Sequence, residues 1–199
     1  MFCKDNIRQH IQKKFEGKAF TAQDFLDFGE YDAIRQTLAR LAKEGFIRRV
    51  IRGVYDRPTY SELLKEFSAP SPHEVALALA RKYSWQISVS GDAALNMLGL
   101  STQIPATWVY VSTGPYKKYL LGKIILEFQH RVDSQLSFKS SKTAMVIQAL
   151  KALGANAREG DIIAKIRQVL SEKEKKQLAK EASAAPLWMH PIIKKICEE

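Results

Sequence analysis

Residues 31–56 read YDAIRQTLARLAKEGFIRRVIRGVYD, and this stretch decides how the first part of the chain folds. Three apolar residues in its first half fall on one side of a helix: Ile34, Leu38 and Leu41. Gly45 is a natural helix stop, and a short run rich in arginine and β-branched residues follows it. The stretch therefore predicts a helix over 31–44 and then a β-hairpin that turns at Arg52 and Gly53.

Two further helices are predicted before this stretch. Ile7, Ile11 and Phe15 have the spacing of one helix face. Thr21 is a good N-cap for a short second helix, and Gly29 is a suitable residue to end it. Three helices and a basic hairpin within residues 1–58 are typical of a winged helix-turn-helix domain, which we expect there.

This plan assigns DNA contacts to particular residues, because a helix fits the major groove and a cationic hairpin suits phosphates or the narrow minor groove. The predicted reading helix offers four candidates: Tyr31, Arg35, Gln36 and Arg40. The hairpin offers three more: Arg48, Arg49 and Arg52. Alternation along a strand places Arg48 and Arg49 on opposite faces, so both need not reach the same ligand. A protein-contact module with solvated arginines is the alternative interpretation.

The rest of the chain has a different pattern. We predict that residues 59–72 form a connecting helix, over Tyr60 to Phe67, and a proline-rich linker. We predict a second domain over 73–199. It has a helix from Pro72, short strands near Ile87, Thr107 and Lys123, and helices from Ser141 onward. The expected fold class is therefore α+β, with a winged helix-turn-helix followed by a mixed α/β domain that ends in helices.

The composition favours a polyanionic partner. The chain has 199 residues, 46% of them hydrophobic, and a formal net charge of +10 that is spread along its length. No run of about 20 apolar residues predicts a membrane span, and the first residues do not have the pattern of a secretory signal. We therefore expect a cytoplasmic protein without a membrane partner.

The residues that carry enzyme chemistry are sparse. The four histidines are far apart in the sequence, no spacing matches a metal site, and no glycine-rich loop with a lysine predicts a phosphate cradle. Asp92, Glu127 and Lys142 could form a nuclease-like trio, which is the minor alternative. We expect no enzyme activity, no metal and no cofactor.

The chain resembles the antitoxins of the AbiE-type abortive-infection systems, which form a type IV toxin–antitoxin class in bacteria. The resemblance lies first in the hairpin sequence GFIRRV at 45–50 with its return GVY at 53–55. It lies second in the sequence ISVSGDAALNMLGL at 87–100, followed by TQIP at 102–105 and a strand at 107–111.

The resemblance implies a bacterial regulator that represses its own operon in a phage-defence system. It also implies that the protein counteracts a co-encoded, nucleotidyltransferase-like toxin, which in this class need not require direct contact. The protein could act as a monomer or as two copies placed side by side by the DNA. The alternative is a winged-helix transcriptional regulator without a toxin partner, whose second domain binds a ligand or another protein.

Overall fold

The structure is a computed structural model that describes residues 2–131 and 140–198, with side chains from Lys4 onward. It is a mixed α+β fold, as the sequence predicts. The chain divides into two compact units. The first ends at Trp85 and also includes Leu120–Gly122, and the second contains the other residues from Gln86 onward.

The first unit begins with helix α1 (Phe2–Lys14), the two-residue strand β1 (Ala19–Phe20) and a 3-10 helix (Ala22–Phe28). Helix α2 (Tyr31–Lys43) and strands β2 (Arg48–Ile51) and β3 (Val54–Asp56) follow. The strand order is β1-β3-β2, and both pairs are antiparallel. The helix and hairpin predicted over 31–56 are therefore confirmed, whereas β1 was not predicted.

The core of this unit is built by residues from every one of these elements except β2. Its central members are fully buried apolar side chains: Ile7, Ile11, Phe20, Phe25, Ile34, Leu38 and Leu41. Thr21 is the N-cap residue, as predicted, and its backbone N–H donates to Asp24 Oδ2 at 2.8 Å, which is the Asp24 half of a capping box. The helix that it starts is a 3-10 helix with a kink at Phe25 rather than a regular α-helix.

The prediction of a connecting helix at 60–67 is wrong. Strands β4 (Tyr60–Ser61) and β5 (Glu66–Phe67) form an antiparallel hairpin there, with a tight turn between them. Lys65 has a φ of 52°, in the left-handed region that a helix does not contain. The spacing of Leu63, Leu64 and Phe67 resembled a helix face, but all three side chains are exposed, so no core selects the helix.

Helix α3 (Pro72–Tyr83) matches the predicted helix, and Ser71 caps it by accepting a hydrogen bond from the Glu74 N–H. The sequence-based boundary placed this helix at the start of the second domain. In the structure it belongs to the first unit, where its buried face packs on β1, β3 and the 3-10 helix. Arg81 fixes it there, since its Nε lies 2.7 Å from Asp24 Oδ1 and its Nη2 donates to the Ala19 carbonyl.

A four-stranded sheet has the order β6-β7-β9-β8, and all of it except the last two residues of β8 belongs to the second unit. Its strands are β6 (Ile87–Ser90), β7 (Thr107–Ser112), β8 (Lys117–Leu121) and β9 (Ile124–His130). Strand β7 pairs with β6 antiparallel and with β9 in parallel. Tyr110 on β7 and Phe128 on β9 are fully buried cross-strand partners in the sheet.

The helices of this unit are α4 (Asp92–Met97), α5 (Ser141–Leu153), α6 (Gly160–Val169), α7 (Glu172–Glu181) and α8 (His190–Cys197). Helix α5 packs against β6, α4 and α7, and α8 packs against α6 and α7. Ser171 and Glu174 form the capping box that starts α7. The helical end that the sequence predicts is therefore confirmed.

Candidate nucleic-acid interface

Helix α2 presents a polar face on the side opposite its buried stripe. Gln36, Arg40 and Lys43 are exposed, and their positions lie roughly 180° around the helix from Ile34 and Leu38. Within the described part of the chain, no ion pair or hydrogen bond occupies the Arg40 side chain. The face therefore offers an amide and two cations to a ligand.

Tyr31, at the start of α2, is 40% exposed. The Arg35 guanidinium lies 5.9 Å from the centre of its ring, and Arg35 Nη1 also donates to Asp32 Oδ1 at 2.9 Å. The Asp32 carboxylate thus offsets the charge of Arg35. Both side chains of this pair are well exposed, so the pair contributes little and a ligand can displace it at low cost.

The β2–β3 hairpin turns through Arg52 and Gly53, and Gly53 has a φ of 79° that suits glycine. Arg49 and Arg52 are exposed, and neither side chain has an ion-pair partner among the described residues. A bulge between Arg49 and Ile51 shifts the register of the hairpin, so that Arg49 faces Tyr55 and Arg48 faces Asp56.

Arg48 has an internal partner, unlike the two other arginines of the hairpin. Its Nε and Nη2 donate to the two carboxylate oxygens of Asp56 at 3.0 and 2.5 Å, and Nη2 also donates to the Ser68 carbonyl. The Asp56 side chain is only 8% exposed. Arg48 therefore neutralises a buried charge and fastens the segment after β5, and it is less available to a ligand than Arg49 or Arg52.

Lys82 is a cation at the hairpin that sequence reasoning missed. Its Nζ would lie 3.5 Å from a Cβ added to Gly53, so the α3 side chain reaches the hairpin turn. The same ammonium lies 5.0 Å from the ring centre of Tyr83. No local pattern reveals this proximity, because Lys82 is distant from the turn in the sequence and only the packing of α3 brings them together.

A second group of cations surrounds Phe46, between α2 and β2. The guanidinium carbons of Arg8 and Arg57 each lie 4.4 Å from the centre of the Phe46 ring. Arg57 Nη1 also donates to the Phe46 carbonyl at 3.0 Å. Phe46 is partly buried, and its ring packs against both the core and the two cations.

The structure places the three residues of the nuclease-like alternative on three different elements, α4, β9 and α5. Glu127 forms an ion pair with Lys118 at 2.8 Å and accepts a hydrogen bond from Gln129 Nε2 at 2.9 Å. These two contacts hold the pKa of its carboxyl below the usual range. Asp92 is the first residue of α4, and Lys142 is half-buried on α5. Among the described residues, no group of three His, Cys, Asp or Glu side chains is placed to hold a metal ion.

One finding bears on the membrane. In the ranges 2–131 and 140–198, no helix is both long and apolar enough to cross a bilayer.

The fold and this surface define an α+β protein whose first unit carries exposed cations on a helix and a hairpin. The chain belongs to a family of unknown function, DUF6088, whose model matches residues 6–178. No curated protein matches the chain. Among solved structures, it is similar to the crystal structure of the RV2827C protein from Mycobacterium tuberculosis, with a TM-score of 0.42 and 12% sequence identity. That alignment covers 98% of this chain and 78% of the other.

Proposed function

We propose that the first unit is a winged helix-turn-helix that binds duplex DNA, and that the protein is a regulator rather than an enzyme. The order of elements supports the assignment, since α1, the 3-10 helix and α2 are followed by the basic β2–β3 hairpin within residues 1–58. Strand β3 also pairs with β1 and so ties the hairpin to the helices. The predicted reading helix corresponds to α2.

One observation carries the proposal. Exposed cations without internal partners lie on the reading helix and on the hairpin, the two elements with which a winged helix-turn-helix contacts DNA. Arg40 is on α2, and Arg49 and Arg52 are on the hairpin. Lys82 adds a fourth positive charge at the hairpin turn. A duplex attracts such a surface because each neutralised phosphate releases condensed counterions.

Two roles are proposed for the candidate contacts. Gln36 and Arg40, on the outer face of α2, are suited to base edges, because an amide pairs with adenine and a guanidinium with guanine. Arg52 and Lys82 are suited to phosphates or the minor groove. Tyr31 and Arg35 are at the N-terminal end of α2, the part of a reading helix that contacts bases in helix-turn-helix proteins.

The wider biological role in this proposal is that of an antitoxin. The resemblance of 45–55 and 87–111 to AbiE-type antitoxins supports a cytoplasmic bacterial protein that represses its own operon and counteracts a nucleotidyltransferase-like toxin. The second unit is the candidate for the antitoxin activity. A regulator without a toxin partner is the alternative. Expression of the neighbouring reading frame with and without this protein distinguishes the two, because only an antitoxin restores growth that the neighbouring product inhibits.

The experiment is a salt-titrated binding assay of the full chain on its own upstream DNA and on an unrelated duplex of equal length. We expect tighter binding to the upstream DNA and a steep loss of affinity with salt. Equal and weak binding to both duplexes would leave only charge attraction and would refute sequence-specific regulation.

A further inference from the structure

A cleft of about 610 Å³ opens between the end of α2 and strand β2. Its apolar walls are formed by five residues: Ala42, Phe46, Ile47, Pro58 and Phe67. Three arginines also line it, and the lining includes no acidic residue: Arg48, Arg49 and Arg57. Since Asp56 neutralises Arg48, the net positive charge comes from Arg49 and Arg57. An occupant of this cleft should be apolar in the middle and acidic at its edges.

The β4–β5 hairpin has this character. Leu63 and Leu64, in its turn, are 91% and 67% exposed, and no other large apolar residue in the described chain is as exposed as Leu63. Glu62 and Glu66 flank the two leucines, and Lys65 is the one basic residue of the turn. A monomer gains nothing by holding two adjacent leucines in water, and exposed apolar patches mark interaction surfaces.

The cleft and the hairpin are neighbours on one surface, because Phe67 both lines the cleft and closes the hairpin. The Tyr60 and Phe67 rings pack against each other at 5.2 Å and brace the hairpin base. We propose that a second copy of this chain docks here, with Leu63 and Leu64 of each protomer inserted into the cleft of the other. Each acidic flank then meets the arginines of the partner's cleft.

The geometry suits a two-fold pair. Two surfaces related by a two-fold axis must be self-complementary, and this patch contains both the protruding and the receiving element. The hairpin rises only three or four residues from Phe67, which is about 10 Å at the usual rise per strand residue. Two such hairpins lying side by side can each carry a tip past the axis to the opposite cleft.

The inference does not depend on DNA binding. Arg40, Arg52 and Lys82, the phosphate and base candidates, are not among the residues that line the cleft. Arg49 is shared by both surfaces, and a dimer would direct its charge to a partner's carboxylate. Self-association is measured without DNA, so its failure and the failure of the proposed DNA binding can be separated.

The experiment is sedimentation equilibrium of the full chain from low to high micromolar concentration, without nucleic acid. We expect a reversible monomer–dimer equilibrium. The double variant Leu63→Ser, Leu64→Ser should weaken it at least about tenfold, because truncating central apolar anchors has effects of this size. The matched control is Ile104→Ser with Leu187→Ser, two side chains that are 75% and 83% exposed elsewhere. This control should dimerise like the wild type.

A charge exchange tests the complementarity. Glu62→Lys with Glu66→Lys should weaken the dimer, and adding Arg49→Glu to the same chain should recover part of the affinity. Circular dichroism spectra equal to that of the wild type, and equal melting temperatures at dilutions where every variant is monomeric, establish that each variant is folded. A wild type that stays monomeric at all concentrations, or a dimer that the leucine variant leaves unchanged, would overturn the proposal.

Discussion

Arg48, and not Arg49, faces Asp56 across the β2–β3 hairpin. A regular hairpin with a two-residue turn at 52–53 would pair Arg49 with Asp56, because Ile51 already pairs with Val54. The bulge between Arg49 and Ile51 shifts the pairing by one residue. It therefore decides which arginine neutralises the buried carboxylate and which one remains exposed to bind a ligand.

The first prediction concerns stability. Arg48→Ala should lower the free energy of unfolding by about 2 kcal/mol, because it leaves Asp56 buried without its partner. Arg49→Ala, the adjacent control, should change it by less than about 0.5 kcal/mol, since its side chain is exposed. Urea unfolding of both variants measures the difference, and equal effects would contradict the pairing described here.

The second prediction concerns the salt dependence of DNA binding. Arg52→Ala and Lys82→Ala should each weaken binding on every sequence and reduce the slope of log K against log salt by about one unit. Arg48→Ala should change this slope least of the hairpin variants, because Asp56 already offsets its charge. An Arg48→Ala slope as low as that of Arg52→Ala would mean that Arg48 leaves its partner to contact phosphate.

The third prediction concerns the N-terminal end of α2. Asp32→Asn removes a negative charge from the N-terminal end of α2 and releases Arg35 from its ion pair. We expect tighter binding to all duplexes, most clearly at low salt, with little change in stability because the pair is exposed. Glu172→Gln, which also breaks an i,i+3 pair but at the start of α7, is the control. Weaker binding after Asp32→Asn would instead indicate that the carboxylate contacts a base.

The fourth prediction concerns pH. The His10 ring lies 5.0 Å from Phe28 and 5.7 Å from Phe25, and burial, with a smaller effect of Lys14, lowers its pKa. The unfolded chain then takes up the proton more readily, so the stability due to His10 is present above about pH 6.5 and is lost as the pH falls below it. The stability of His10→Phe relative to the wild type should therefore rise on acidification. A pH-independent difference would contradict this assignment.

The sequence was most informative where periodicity and caps agree. Helix α2 is predicted within one residue at its C-terminal end, because Ile34, Leu38 and Leu41 share a face and Gly45 follows. Strand β1 has only two residues, too few for any alternation to be recognised. At 60–67 the apolar spacing fits a helix. Such a face stabilises a helix only when it packs against another element, and the Leu63 side chain packs against none in the described chain.

The candidate interface was only partly predictable for a similar reason. The exposed positions of Gln36, Arg40 and Arg52 follow from the helix period and the turn. The internal role of Arg48 follows from a bulge, and the place of Lys82 follows from the docking of α3, neither of which a local pattern contains. The sequence therefore identifies the candidate cations, and the tertiary structure determines which of them are free to bind a ligand.

The most direct test of the proposed function compares two triple variants with the same net charge on the upstream DNA. One replaces Arg40 on α2, Arg52 in the hairpin turn and Lys82, which lies beside that turn, with alanine. The other removes three lysines that are exposed in the second unit, by Lys165→Ala, Lys173→Ala and Lys180→Ala.

We predict that the first variant, Arg40→Ala with Arg52→Ala and Lys82→Ala, loses binding and about two units of salt slope, one each for the phosphate candidates Arg52 and Lys82. The second should retain most of both. Equal loss in the two variants would mean that total charge, and not the face formed by α2 and the hairpin, attracts DNA, and would contradict the proposed function.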